Sequence, residues 1–288
     1  SLVQPNNVAN AVGVSSGGNT GNATFARNTT GMLLFDYTYW SSPVYPQTLL
    51  NLSPLTLSDK YFKYDPVVNN WVNVPSISLM DPAKGYIVRA PQTFNTSTPT
   101  IFNASFVGTP NNGTITTPIV VSTGNVNLIG NPYPSAVNAD LFLSDPLNTP
   151  YIGGTIYLWT HNTPIAANNY SSNDYALYNY SGGIGTGTGA LGTNNSVPTG
   201  KIASGQAFFV LGNNQQGDIV FKNAMRLKGE NSVFFKNSSN KSIASSNFEK
   251  HRIWLNLSNA QGLFKQILLG YATGATNVKD ILFDGLSL

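Results

Sequence analysis

The sequence contains no cysteine. That excludes disulfides, thiolate nucleophiles and Cys-ligated metals. It does not exclude export, because a chain of 288 residues can bury a core without covalent staples. Charge is scarce as well: Asp, Glu, Lys and Arg make up 9% of the chain, against roughly 25% in ordinary soluble domains. The formal net charge of +3 is small for this length, and no Lys/Arg cluster exceeds two residues, so nucleic acid is not an expected partner. No apolar run reaches the length of about 18 residues that a membrane-spanning helix needs. Two histidines, His161 and His251, and two glutamates, Glu230 and Glu249, leave little material for acid–base chemistry.

What is present points to β structure. Hydrophobic residues make up 41% and aromatics 11%, enough for a packed core and too much for a disordered chain. The surface is expected to be covered by Asn, Ser, Thr and Gly, a habit commoner in secreted β proteins than in cytosolic enzymes. Short runs rich in Val, Ile, Tyr, Phe and Thr alternate with Gly/Pro/Asn turns. Examples are Tyr61-Phe62-Lys63-Tyr64, Thr155-Ile156-Tyr157-Leu158-Trp159, Ala207-Phe208-Phe209-Val210-Leu211 and Ile253-Trp254-Leu255-Asn256-Leu257. One short helix is expected over Asn138 to Leu143.

An internal repeat organises these strands. One copy opens at Tyr39-Trp40-Ser41-Ser42-Pro43-Val44, passes a strand pair from Tyr61 to Trp71, reaches Lys84-Gly85-Tyr86-Ile87-Val88 and closes at Ile101-Phe102-Asn103-Ala104. The other opens at Leu128-Ile129-Gly130-Asn131-Pro132-Tyr133, passes Tyr157 to Tyr178, reaches Ser204-Gly205-Gln206-Ala207-Phe208 and closes at Ile219 to Ala224. The glycine before each apolar strand reads as a bulge or tight entry. The fold class is therefore all-β: two tandem β-sandwich or jelly-roll-like repeats followed by a C-terminal β-hairpin segment. The expected organisation is an N-terminal extension over 1–30, repeats over 31–122 and 123–236, and a Ser/Asn-rich linker over 237–249. A further β segment, cut short, then begins over 250–288. Since the chain opens at Ser1 and stops at Leu288 without a terminal element, both ends are read as cut.

Little here reads as catalytic. Gly187-Thr188-Gly189-Ala190-Leu191-Gly192 matches the spacing of a dinucleotide-binding turn, but it lies in a Gly/Thr/Asn loop followed by Pro198 and reads as surface. His161 and His251 read as turn or strand-end residues. Ten of the twelve acids are Asp, mostly beside turn residues, which suits local hydrogen bonding. A glycan hydrolase with paired carboxylates is the weakest reading. No metal is expected, and calcium held by scattered Asp and backbone carbonyls is the one cofactor left open. Trp40, Trp71 and Trp159 are the candidate binding residues, as exposed platforms on which a glycan stacks; the rival reading puts their rings in the core.

Several segments carry a resemblance when taken as a set. They are Phe35 to Val44, Asp59-Lys60-Tyr61-Phe62, Gly85 to Pro91, Phe106 to Gly113, Asn127 to Ala136, Tyr170 to Ala176 and His251 to Gly285. Together they resemble a segment of large secreted Flavobacterium-type (Bacteroidota) proteins. In that family the segment lies upstream of a C-terminal sorting domain read by the type IX secretion system. The likeness covers nearly the whole chain from about Gly31. It implies an extracellular or outer-surface, adhesin-like protein, with the sorting domain following Leu288 and reaching the translocon. It implies other surface proteins or further copies of itself as partners, and it supplies no catalytic residue. The resulting expectation is a non-enzymatic structural or adhesive module, such as a stalk, cap or filament subunit, with a carbohydrate-binding module as the alternative.

Overall fold

The computed structural model describes residues 19–160, 170, 174–186, 197–231, 250–259 and 264–286. The first half runs β1 (Ala23–Met32), β2 (Tyr37–Trp40), β3 (Val44–Tyr45), α1 (Leu49–Leu52), β4 (Tyr61–Asp65), β5 (Asn70–Asn73), β6 (Tyr86–Arg89) and β7 (Thr100–Pro110). The second runs β8 (Ile115–Ile119), β9 (Val126–Gly130), β10 (Ala136–Asn138), α2 (Ala139–Leu143), β11 (Ile152–Trp159), β12 (Tyr175–Asn179), β13 (Gly182–Ile184), β14 (Lys201–Ile202), β15 (Ala207–Gly212), β16 (Gly217–Phe221) and β17 (Arg226–Leu227). A hairpin of β18 (Lys250–Ser258) and β19 (Phe264–Ala272) follows. The protein is all-β, with two α-helices of a single turn or little more among the described residues. Each helix is capped by a polar side chain: Thr48 accepts from the Asn51 amide, and Asn138 from those of Asp140 and Leu141.

Two sheets form the centre. The four-stranded sheet has the order β2-β6-β4-β5, and the five-stranded sheet, read from its other edge, has β9-β15-β11-β12-β13. In each sheet the strand that comes first in the chain pairs with the one that comes last, and the intervening strands follow, two in the first sheet and three in the second. Outside the first sheet lies β1-β7-β3 with α1; outside the second lie the pair β8-β16 and α2. The result is four layers, in which both central sheets are covered on both faces.

That double burial explains the strand sequences. Side chains alternate between faces along a strand. Tyr39, Ile87, Leu128, Tyr157, Trp159, Ala207 and Phe209 meet between the two central sheets. Their neighbours Trp40, Tyr86 and Val88 pack outward on Phe106. Ile156, Leu158, Phe208 and Val210 pack outward on Ile119, Phe142 and Phe221. A strand buried on both sides carries a continuous apolar run, as β15 does, rather than an apolar–polar alternation.

The halves also grip each other through backbone. The Ser41 amide donates to the Gly205 carbonyl (3.0 Å), and the Gly130 amide donates to the Ala83 carbonyl (2.9 Å). Each half thus hands the end of its first sheet strand to the segment ahead of the other half's Gly-led strand. Glycine is required there by space. A Cβ on Gly130 would sit 2.3 Å from Ser41 Cβ, and one on Gly85 would sit 2.4 Å from Leu128 Cγ. The glycine ahead of β6, expected to mark a bulge or a tight entry, is there to admit the other half.

Two strand pairings involve residues at the edges of the expected repeats. β1 begins ahead of residue 31 and pairs with β7 from Ala23↔Gly108 onward. β8 precedes residue 122 yet pairs with β16 along its whole length, from Ile115↔Phe221 to Ile119↔Gly217. The expected linker lies outside the described residues. Asparagine is not only a surface residue here. Asn148, wholly buried, donates to the Phe142 and Val220 carbonyls (2.9 and 3.0 Å) and accepts from the Val220 amide (2.7 Å). Asn131 does likewise for Ser135, Ile202 and Tyr133. A carboxamide carries both donor and acceptor, so it satisfies buried loop backbone that has no ladder partner.

The hairpin docks one face on β13. The Trp254 indole N–H donates to the Gly183 carbonyl (3.0 Å), and the Gly185 amide donates to Gln266 Oε1 (3.1 Å). Its other face leaves Ile253, Leu255, Leu257, Ile267, Leu269 and Tyr271 exposed.

Candidate functional site

At one end of the interface between the central sheets the packing opens into a cavity of about 370 Å³. Its walls are Tyr37 and Tyr39 from β2, Phe62 from β4, Trp71 from β5, Ile87 from β6, Trp159 from β11, Tyr175 from β12, and Tyr170. Seven of these eight residues are aromatic. The site follows directly from strand geometry, since Tyr37/Tyr39 and Tyr157/Trp159 are i, i+2 pairs that project rings into one layer.

The rings lock one another. The Trp159 indole stacks on Tyr39, with centroids 5.6 Å apart and planes 6° apart. Trp71 meets Tyr39 edge to face at 5.6 Å, and Tyr37 meets Phe62 at 6.1 Å and Tyr170 at 5.7 Å. Such edge and offset contacts are the favoured arrangements of ring quadrupoles. Several of the polar atoms are engaged too. The Tyr39 and Tyr175 hydroxyls lie 2.5 Å apart, Trp159 Nε1 donates to the Tyr37 carbonyl (3.3 Å), and the Tyr170 hydroxyl donates to the Phe35 carbonyl (2.8 Å). Burial pushes the phenols of Tyr37, Tyr39, Tyr170 and Tyr175 above their ordinary value, so all four stay protonated near neutral pH. Among the described residues the lining holds neither carboxylate nor imidazole nor amine. It can hold a guest, but it offers no group that would trade a proton with one at neutral pH.

Of the three tryptophans read as platforms, two meet here. Trp71 is half-buried and lines the cavity, while Trp159, 8% exposed, forms a wall as part of the buried seam and not as the exposed platform expected of it. Trp40 does not belong with them, and the expectation for it is corrected. It is 1% exposed and packs against Phe102 and Phe106 in the outer core. The reason is the strand's two-residue period: Tyr39 faces the seam, so its neighbour Trp40 must face away. The residues missed from sequence, Tyr37, Tyr39, Phe62 and Tyr175, carried the signal of that same period.

The acids sit where local turn chemistry puts them. Asp65 accepts from the Val67 amide, Asp145 from that of Leu147, and Asp36 from that of Leu33. Among the described residues no group of three His, Cys, Asp or Glu side chains is placed to hold a metal ion. His251 lies exposed at the start of β18. His161 and the glycine-rich stretch from Gly187 to Gly192 lie outside the described residues. No helix among the described residues is long and apolar enough to cross a membrane.

A family model described as a domain of unknown function, DUF8693, matches residues 1–288. No curated protein and no solved structure matches the chain.

Proposed function

We propose that this chain, which belongs to the DUF8693 family, a domain of unknown function, is a non-enzymatic structural or adhesive module of a secreted cell-surface protein exported by type IX secretion. The observation that carries the non-enzymatic part is the lining of the cavity: seven aromatic residues and one isoleucine, with the four phenols kept neutral by burial. Such a site binds through surface and shape rather than through proton transfer. The secreted part rests on the charge-poor composition and on the resemblance carried by Phe35 to Val44, Asn127 to Ala136 and the other segments. We further read the two halves as copies of one β unit, supported by their common strand order and the reciprocal backbone bonds at Ser41 and Gly130.

Antibody labelling of intact source cells tests the proposal. Surface or medium signal that disappears when the type IX translocon is disabled is the expected result. Signal found only after cell lysis, in cells with a working translocon, refutes export. A hydrolase screen on the purified chain tests the other half: turnover that survives repurification and is lost on changing one Asp contradicts the non-enzymatic reading.

A further inference from the structure

We propose that the cavity between the central sheets is a binding site for an uncharged aromatic ring of the size of a phenol or an indole, carried by a small molecule or by a side chain of a partner protein. Export has no bearing on it, so it can fail or stand apart from the secretion reading.

Three features select that guest. The first is shape. About 370 Å³ accommodates one or two rings. The walls meet at steep angles, 72° between Tyr39 and Trp71 and 82° between Tyr37 and Tyr170, so a planar guest finds both ring faces and ring edges. The second is polarity. The hydroxyls of Tyr39, Tyr170 and Tyr175 and the Trp159 N–H are already bonded within the protein. A sugar would leave water bonds behind at each buried hydroxyl and find chiefly the Tyr37 hydroxyl and the Trp71 N–H of the described lining in return, which is costly. An aromatic ring surrenders none. The third is charge. None of the described lining residues carries a formal charge, so no ion pair is there to select a cation or an anion.

Trp71 is the residue to change, because it is half-buried on β5, the edge strand of its sheet. The experiment titrates the full chain with indole, N-acetyl-tryptophanamide, methyl β-glucoside and tetramethylammonium, read by calorimetry or ligand-observed NMR. Indole is expected to bind with a Kd of roughly 0.1–1 mM, the range that nine well-packed heavy atoms support. Trp71→Ala is expected to weaken it by about tenfold or more, and Trp71→Phe, which keeps a ring, by only about threefold. Matching melting curves for the two variants separate lost contact from lost fold. Binding of the tryptophanamide as well as indole assigns the ring to a partner protein, and binding of indole alone assigns it to a small molecule; either result supports the site. Glucoside or tetramethylammonium binding as tightly as indole overturns it, as does indole affinity unchanged by both Trp71 substitutions.

Discussion

Replacing Phe209 with alanine should loosen the seam between the two central sheets more than any other single truncation there. Phe209 is 4% exposed, and its ring centroid lies 5.1 Å from Tyr64, 5.7 Å from Tyr39 and from Trp71, and 5.8 Å from Tyr175. Tyr39, Tyr64 and Trp71 belong to the opposite sheet, so the ring stitches one half to the other. Removing it forfeits transfer energy of about 1.5–3 kcal/mol. The vacated space adds about 2 kcal/mol, at roughly 24 cal/mol per Å³ over roughly 100 Å³. A total loss of about 3–5 kcal/mol is expected, typical of a buried Phe→Ala change. With a urea slope of about 2–3 kcal/mol/M, the unfolding midpoint should fall by roughly 1–2 M. Phe209→Leu, which keeps most of the volume, should cost under about 1.5 kcal/mol. A double-mutant cycle of Phe209→Leu with Tyr64→Leu should return a coupling of about 0.5–1.5 kcal/mol across the seam. A Phe209→Ala loss below about 1 kcal/mol, or no coupling to Tyr64, would mean that the sheets do not pack face to face through these rings.

Other expectations follow from particular contacts. Gly130→Ala drives a methyl into Ser41 and toward the Ala207 backbone; it should cost about 1–3 kcal/mol in denaturant melts, and a neutral result would dismiss the crossing. Asn148→Ala strands the Val220 amide and the Val220 and Phe142 carbonyls in the core. It should cost about 2–4 kcal/mol, whereas a surface asparagine such as Asn256 should change stability little. Burial pushes the phenols of Tyr86 and Tyr157 up to about 12, above the value near 10 of an unfolded tyrosine. The unfolded chain therefore releases these protons first. Their contribution is intact below about pH 10 and is lost as pH climbs toward about 12, by roughly 2–3 kcal/mol per group. Denaturant midpoints across that range, followed with tyrosinate absorbance, check it; a flat profile there is the contrary result.

The strands were legible because β-branched and aromatic runs bounded by Gly, Pro and Asn have few other uses. Single-face alternation was absent for a physical reason. β11 and β15 are covered on both sides, and such strands read as unbroken apolar runs. The boundaries at β1 and β8 were not legible, because each is set by pairing with a strand far along the chain, β7 and β16, which no local pattern announces. The role of Trp40 was hidden by the same two-residue period that later explained it: composition counts an indole but does not say which face carries it. Nothing in the local sequence marks Asn131 and Asn148 as buried, since only tertiary structure shows which loops turn inward and need their backbone satisfied. The cavity itself needed both sheets in place, for its rings come from residues as far apart as Tyr37 and Tyr175.

The account turns on the two β halves being one body, cemented by the aromatic seam and the backbone exchange at Ser41 and Gly130. Differential scanning calorimetry of the whole chain tests this most directly. The expected result is a single transition for both halves, with calorimetric and van't Hoff enthalpies in agreement, and a lower melting temperature for Phe209→Ala without a second peak. Two resolved transitions, with Phe209→Ala shifting only one of them, would contradict it.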